Sequence, residues 1–191
     1  MSNLILFPTY PHFYGNASRR ELSGVLPALV QVAKLAIILC PYDGKILPGG
    51  GLRTQAQADA NAARGTGIRD SRHLRQPDGW GHAIDNVPLV DTDGDGDVEV
   101  SWETKWLPAF KELAIATKRA SAILWTPIRQ GCDWNMNGVL GEPGTKEWDW
   151  PHVENPLPHH LKKAESEMLR YREELSAQGY DLRPENYPIA A

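Results

Sequence analysis

Gly81-His82-Ala83-Ile84-Asp85, continuing as Asn86-Val87-Pro88-Leu89-Val90, is the stretch from which the fold can be read. Ala83, Ile84, Val87 and Leu89 are apolar and Asp91 breaks the run, so the segment is expected to be a strand over 83–90. It carries a carboxylate, Asp85, inside an otherwise apolar run. Upstream stands Ser71-Arg72-His73, and near the far end stands Asp149-Trp150-Pro151-His152-Val153-Glu154. Together these stretches offer two imidazoles and two carboxylates, enough for three metal ligands and a base. A catalytic zinc site has three protein ligands and keeps a fourth position for water.

Outward from that strand, helices and short strands alternate. Pro27 suits a first helical turn, and Leu26, Leu29, Val30, Ala33 and Ile37 recur at helical spacing, so a helix is expected over 19–39. Lys45 to Pro48 reads as a short strand leading into Gly49-Gly50-Gly51. Thr54 is a natural N-cap for a second helix beginning at Gln55. Residues 65–80 are loop-like. Val98-Glu99-Val100 is expected to pair with the 83–90 strand as a hairpin partner. A third helix is expected over 103–120, with Leu107, Phe110, Leu113 and Ala114 on one face. A further strand is expected over 122–128. The last helix, 157–179, carries the stripe Leu161, Ala164, Met168, Tyr171 and Leu175 and stops at Gly179; it is expected to pack on its own domain.

The pattern is α+β, a small antiparallel sheet flanked by helices. One domain, 1–191, is expected, opening with an irregular arm over 1–16. Fifteen prolines and seventeen glycines argue against a helical bundle. A net charge of -4, with basic and acidic residues interspersed, gives no footprint for nucleic acid. No apolar run approaches the ~20 residues that span a bilayer, so no membrane insertion is expected. The N-terminus, Met1 to Pro8, lacks the basic region of a signal peptide. Cys40 and Cys132 could pair, but without a secretion signal two buried free thiols are favoured.

His73, Asp85 and His152 are the candidate zinc ligands. Imidazole and carboxylate both bind zinc at ~2.0–2.2 Å, and the metal brings bound water to a pKa of about 7. Asp149, three residues before His152, is the candidate base, stiffened by Trp150-Pro151. A single loop histidine is usually no ligand, and His12, His82, His159 and His160 are expected to bind nothing.

These motifs, in order, closely resemble those of the zinc D,L-peptidases of the D-alanyl-D-alanine carboxypeptidase group. That group includes phage endolysins of the L-alanyl-D-glutamate endopeptidase type. The pattern there is Ser-x-His, Gly-x-Ala-x-Asp, then an acidic residue shortly before a final His. Gly51-Leu52-Arg53-Thr54 also looks like the family's Gly-Tyr-Arg-Thr element, and the likeness runs from Leu22 to Glu154. The resemblance implies a hedgehog-like fold, Zn2+ on His73, Asp85 and His152, and Asp149 as catalytic base. It implies that Arg53 binds substrate or steadies the developing oxyanion, and that Ser71 touches substrate. It implies a phage-type endolysin that cuts the stem peptide of bacterial peptidoglycan for host lysis, made in the host cytoplasm and reaching the wall through a membrane lesion. A monomer is expected. Two alternatives stand beside it: a D-alanyl-D-alanine carboxypeptidase or dipeptidase of wall remodelling, and a non-catalytic zinc-containing wall-binding module. One departure is visible. His73 and Asp85 lie twelve positions apart, a longer gap than the family's, so residues 75–79 look like an insertion beside the substrate cleft.

A second metal is suggested by Asp91-Thr92-Asp93-Gly94-Asp95-Gly96-Asp97, which fits the start of an EF-hand-type calcium loop. Asp133, Asn135 and Asn137, followed by Gly138, repeat the spacing. Both lack the closing Glu, and an ion-free Asp/Gly or Asn/Gly turn is the alternative. The two loops flank the halves of the zinc motif, a placement from which bound Ca2+ could order or regulate it.

Overall fold

The computed structural model describes residues 4–188. The first three residues of the expected N-terminal arm lie outside the described residues. The helices are α1 (Asn16–Glu21), α2 (Pro27–Leu39), α3 (Gln55–Ala63), α4 (Leu107–Leu124) and α5 (Pro158–Ala177). The strands are β1 (Gly44–Ile46), β2 (Ala83–Pro88), β3 (Arg129–Gln130) and β4 (His152–Glu154). They form an antiparallel sheet of order β1-β2-β4-β3, so the class is α+β, as expected.

β2 is an interior strand. Ala83, Ile84 and Val87 are buried, and Pro88, which has no N–H to give, ends it opposite Gly44. The core lies between the sheet and the packed pair α2 and α4. α2 is buried nearly all round from Leu35 to Leu39. α4 adds buried alanines to the same core, including Ala116, Ala120 and Ala122. α5 packs on α4 and buries Ala164 and Leu175 from the expected stripe, while Leu161 remains exposed. Gly179, at φ +87°, ends that segment in the left-handed conformation expected of a stop residue. The arm is irregular as far as α1 but is tied down. Ile5 bonds Gly179 and Asp181 through its backbone, and Phe7 stacks on Tyr180 with centroids 4.1 Å apart. Cys40 and Cys132 are both free and buried.

Several expectations are corrected. The helix expected over 19–39 is broken at 22–26, because Gly24 sits at φ +82° and Pro27 holds Leu26 out of the helical region. The strand expected over 122–128 is absent. Ala122, Ile123 and Leu124 finish α4, which Trp125 ends in the left-handed region at φ +53°, and only 129–130 is strand. A short buried apolar run fits either state, and here packing of Ala122 and Ile123 in the core decided for helix. The hairpin expected at 98–100 shrinks to one bridge between Val90 and Glu99. The helix expected from Glu103 starts with a 3-10 turn over 104–106 and becomes α-helical at Leu107.

Candidate metal centre

β2 and β4 run antiparallel with Asp85 directly opposite His152, which puts both side chains on one face of the sheet. The imidazole Nδ1 of His152 lies 3.2 Å from Asp85 Oδ1. His73 arrives from the loop before Leu74. The backbone N–H of Arg53 donates to the His73 carbonyl at 2.8 Å, and His73 Nδ1 lies 2.9 Å from the Gly51 carbonyl, to which it donates. That bond leaves Nε2 of His73 as the bare nitrogen, 3.3 Å from Asp85 Oδ1. His73 is 1% exposed, and its Nε2 has no hydrogen-bond partner. A Cβ on Gly51 would stand 1.7 Å from the Glu21 carbonyl, so only glycine lets this backbone deliver its carbonyl to His73.

His73, Asp85 and His152 therefore converge, with one ligand atom each and all within 4.8 Å of one another. A buried imidazole nitrogen without a partner, a second imidazole and a carboxylate are a donor set that suits a divalent metal. His82, close to Asp85 in sequence, is turned elsewhere, as expected of a residue that binds no metal. Its Nε2 pairs with Asp78 and its Nδ1 with Arg72, each at 2.7 Å. Residues 75–79 bulge as a small turn, closed by Gln76 N–H to the Trp80 carbonyl and by the Arg75–Gly81 bridge. His73 thus stays against Asp85.

The charges are mutually adjusted. Burial alone would raise the Asp85 pKa, but the hydrogen bond from His152 and the closeness of both imidazoles hold it well below the usual carboxylate range. Burial would lower the pKa of His152, but its bonds to Asp85 and Glu154 raise it to about 9. Asp149 is half-buried in the turn before β4, where its carbonyl accepts the His152 N–H at 3.1 Å. Burial, with the nearby Asp85 charge, raises its pKa against the pull of His152, His73 and Arg53. Arg53 donates from Nη2 to Asp85 Oδ2 and from Nε to the Gly49 carbonyl. Ser71 is buried, and its Oγ accepts the His73 N–H at 3.3 Å, which steadies the loop that presents His73.

Residues that the sequence reading missed complete the site. Glu154 Oε2 lies 3.2 Å from Nε2 of His152, and Glu154 Oε1 takes Nη1 of Arg129 at 3.2 Å. Trp134 packs on His152 with centroids 5.2 Å apart, and the Arg129 guanidinium covers Trp134 at 4.4 Å. The period-2 rule held the signal: in a strand, Glu154 shares a face with His152. Gly131 is a second contributor, since a Cβ there would meet the Asp149 carbonyl at 2.3 Å.

The suggested calcium loops are differently placed. Asp91, Asp93 and Asp95 bring carboxylate oxygens within 4.8 Å of one another on an exposed turn. Asp97 stands outside that group and gives its N–H to Asp95. Asp133 is buried, accepts the N–H groups of Asn137 and Gly138, and lies 3.6 Å from the Lys118 ammonium. Asn135 and Asn137 both donate to Glu142 at 3.1 Å. Among the described residues no helix is long and apolar enough to cross a membrane.

Residues 12–155 match the family model described as phage L-alanyl-D-glutamate peptidase. The chain is 35% identical over 148 residues to the L-alanyl-D-glutamate peptidase of Escherichia phage T5, covering 74% of this chain and 96% of that protein. Its fold is similar to that of the Serratia marcescens L-Ala D-Glu endopeptidase ChiX, with a TM-score of 0.56 and 24% identity, over 79% of this chain and 96% of the other.

Proposed function

Because the chain belongs to the phage L-alanyl-D-glutamate peptidase family, we propose that it is a zinc-dependent endolysin cutting the L-alanyl-D-glutamate bond of the peptidoglycan stem peptide. The observation that carries the metal assignment is the convergence of His73 Nε2, Asp85 Oδ1 and His152 Nδ1. A zinc ion held by these three residues would supply a nucleophilic water at neutral pH and polarise the scissile carbonyl.

The chain's own groups do the rest. Asp149, with a raised pKa, takes the proton of the attacking water and returns it to the leaving nitrogen of D-glutamate as the C–N bond breaks. Arg53 stands against Asp85 with a permanent positive charge, suited to stabilising the oxyanion or holding a substrate carboxylate. Glu154 fixes the His152 ring with Nε2 outward from the centre and Nδ1 inward. In this reading one domain carries the whole reaction as a monomer, made in the host cytoplasm and acting on the wall after the membrane is breached. Ca2+ in the Asp91–Asp95 loop is part of the same reading; calorimetric titration with calcium tests it, and absence of a binding heat removes it.

Mass spectrometry of purified peptidoglycan digests, with and without a chelator, is the test. Chelator-sensitive fragments ending at L-alanine are expected. Release of terminal D-alanine alone would replace the endopeptidase with a carboxypeptidase. A folded, zinc-loaded sample that yields no product would make the chain a wall-binding module. Asp149→Asn is expected to lower turnover by about 10²–10⁴-fold while zinc stays bound.

A further inference from the structure

The seven tryptophans separate by their surroundings. Trp134 is committed to His152 and Arg129. Trp125 is capped by the Arg172 guanidinium at 3.7 Å. Three others, Trp102, Trp148 and Trp150, line one open cleft of about 240 Å³ together with Leu107, Phe110 and Pro151. Trp102 is 62% exposed and Trp148 is 73% exposed, a heavy apolar display for a surface otherwise rich in charge. The cleft is preformed. Trp102 stacks on Phe110 with centroids 5.4 Å apart, and the Trp150 ring lies so close over Gly141 that a Cβ there would meet it at 2.3 Å.

One wall of this cleft is the catalytic segment itself. Trp148 and Trp150 flank Asp149, and Trp150-Pro151 joins Asp149 to the ligand His152. Aromatic walls with a few polar groups at the edge, here Glu103 and Thr104, suit a ligand that has flat apolar faces and hydroxyls around its rim. A pyranose ring is such a ligand. An anionic peptide is a poorer fit, because the one carboxylate of the polar edge, Glu103, is already paired with Lys105 at 3.1 Å and leaves no unpaired cation among the lining residues.

The substrate's chemistry calls for this division. The amine of L-alanine is acylated by the lactyl group of muramic acid, so the sugar begins one residue from the scissile carbonyl, about 7 Å away along an extended chain. On the other side of that bond, D-glutamate and the residues beyond it carry free carboxylates. A separate cleft of about 390 Å³, lined by Arg53, Gln57, Asn61 and Arg64, adjoins the metal centre through the Arg53–Asp85 ion pair and shares no residue with the aromatic one.

We propose that the Trp102–Trp148–Trp150 cleft is a glycan subsite that holds the N-acetylmuramyl strand of the substrate, while the carboxylate-bearing peptide runs toward Arg53 and Arg64. This deepens the endopeptidase reading above and rests on it for the orientation of the substrate.

Two measurements test it, one of them independent of turnover. Peptide-free glycan strands, prepared with an amidase, are titrated into the zinc-loaded protein and followed by tryptophan fluorescence. Binding is expected, with at least tenfold weaker binding by Trp102→Ala and Trp148→Ala. In parallel, kcat/KM is compared on muramyl-linked stem peptide and on the same peptide without sugar. The ratio of the two is expected to fall about tenfold in either variant. Native protein that cleaves both peptides but does not bind the glycan overturns the subsite and leaves the peptidase reading standing. An unchanged ratio, with both substrates affected alike, assigns the cleft to peptide and likewise overturns it. Glycan binding without any cleavage keeps the subsite and sinks the peptidase reading instead.

Discussion

Replacing Glu154 by Gln keeps the size of a buried side chain, yet it should cost the protein most of its metal. In the native arrangement the carboxylate accepts on both oxygens, from Arg129 Nη1 and from His152 Nε2, each at 3.2 Å. Accepting from Nε2 fixes the imidazole proton there, which leaves Nδ1 as a lone pair facing Asp85 Oδ1 when the ring is neutral. A glutamine has one acceptor and one donor end. Arg129 can only donate, so the amide oxygen must turn to it, and the NH2 then faces Nε2. His152 must become an acceptor at Nε2, and the proton moves to Nδ1, the atom assigned to the metal.

Loss of an outer-shell partner of a metal-bound histidine typically costs 10–100-fold in affinity. This change also opposes the required tautomer, so the upper end, roughly 100-fold or ~2.7 kcal/mol, is expected. Competition against a chromophoric zinc chelator measures it, with circular dichroism confirming the fold. Glu154→Asp keeps two acceptors at a shorter reach and should lose less. A Glu154→Gln affinity within twofold of native, in a folded protein, would refute the tautomer argument.

Three further outcomes are expected. With the metal absent, bonds to Asp85 and Glu154 outweigh burial and hold His152 protonated up to a pH of about 9. Zinc must displace that proton, so affinity should rise about tenfold per pH unit from pH 7 and flatten near 9; chelator competition at three pH values checks this, and a flat profile contradicts it. Gly131→Ala should force the Asp149 backbone aside, because the new Cβ meets its carbonyl at 2.3 Å. A displacement on the order of 1 Å should lower kcat by about 10²-fold while zinc affinity holds, and kinetics beside the chelator titration separate the two. Lys118 lies between the partly buried carboxylate of Glu167 and the buried one of Asp133, so Lys118→Met should destabilise by about 3 kcal/mol. Calorimetry should show Tm lowered by roughly 6–12 °C.

Sequence alone nominated the candidate site residues. His73, Asp85 and His152 are read from residue type and motif order, as are Arg53 and Asp149, because metal binding and proton transfer demand particular functional groups. It also determined the local features that depend on neighbouring residues: Thr54 closes a capping box with Gln57, Pro27 opens α2, and Gly179 takes the left-handed stop. Only the tertiary structure decided whether Ala122 to Leu124 would be helix or strand, since both states bury a short apolar run and α2 was the surface available to bury it. Tertiary structure also brought Arg129 to Glu154, gave Gly51 and Gly131 their close contacts, and gathered Trp102 with Trp148 and Trp150 into one cleft. Those partners lie tens of residues apart or depend on backbones meeting within 3 Å. The physical reason is one of range: period and capping are set over a turn or two of chain, whereas contact between distant segments is decided by how whole elements pack.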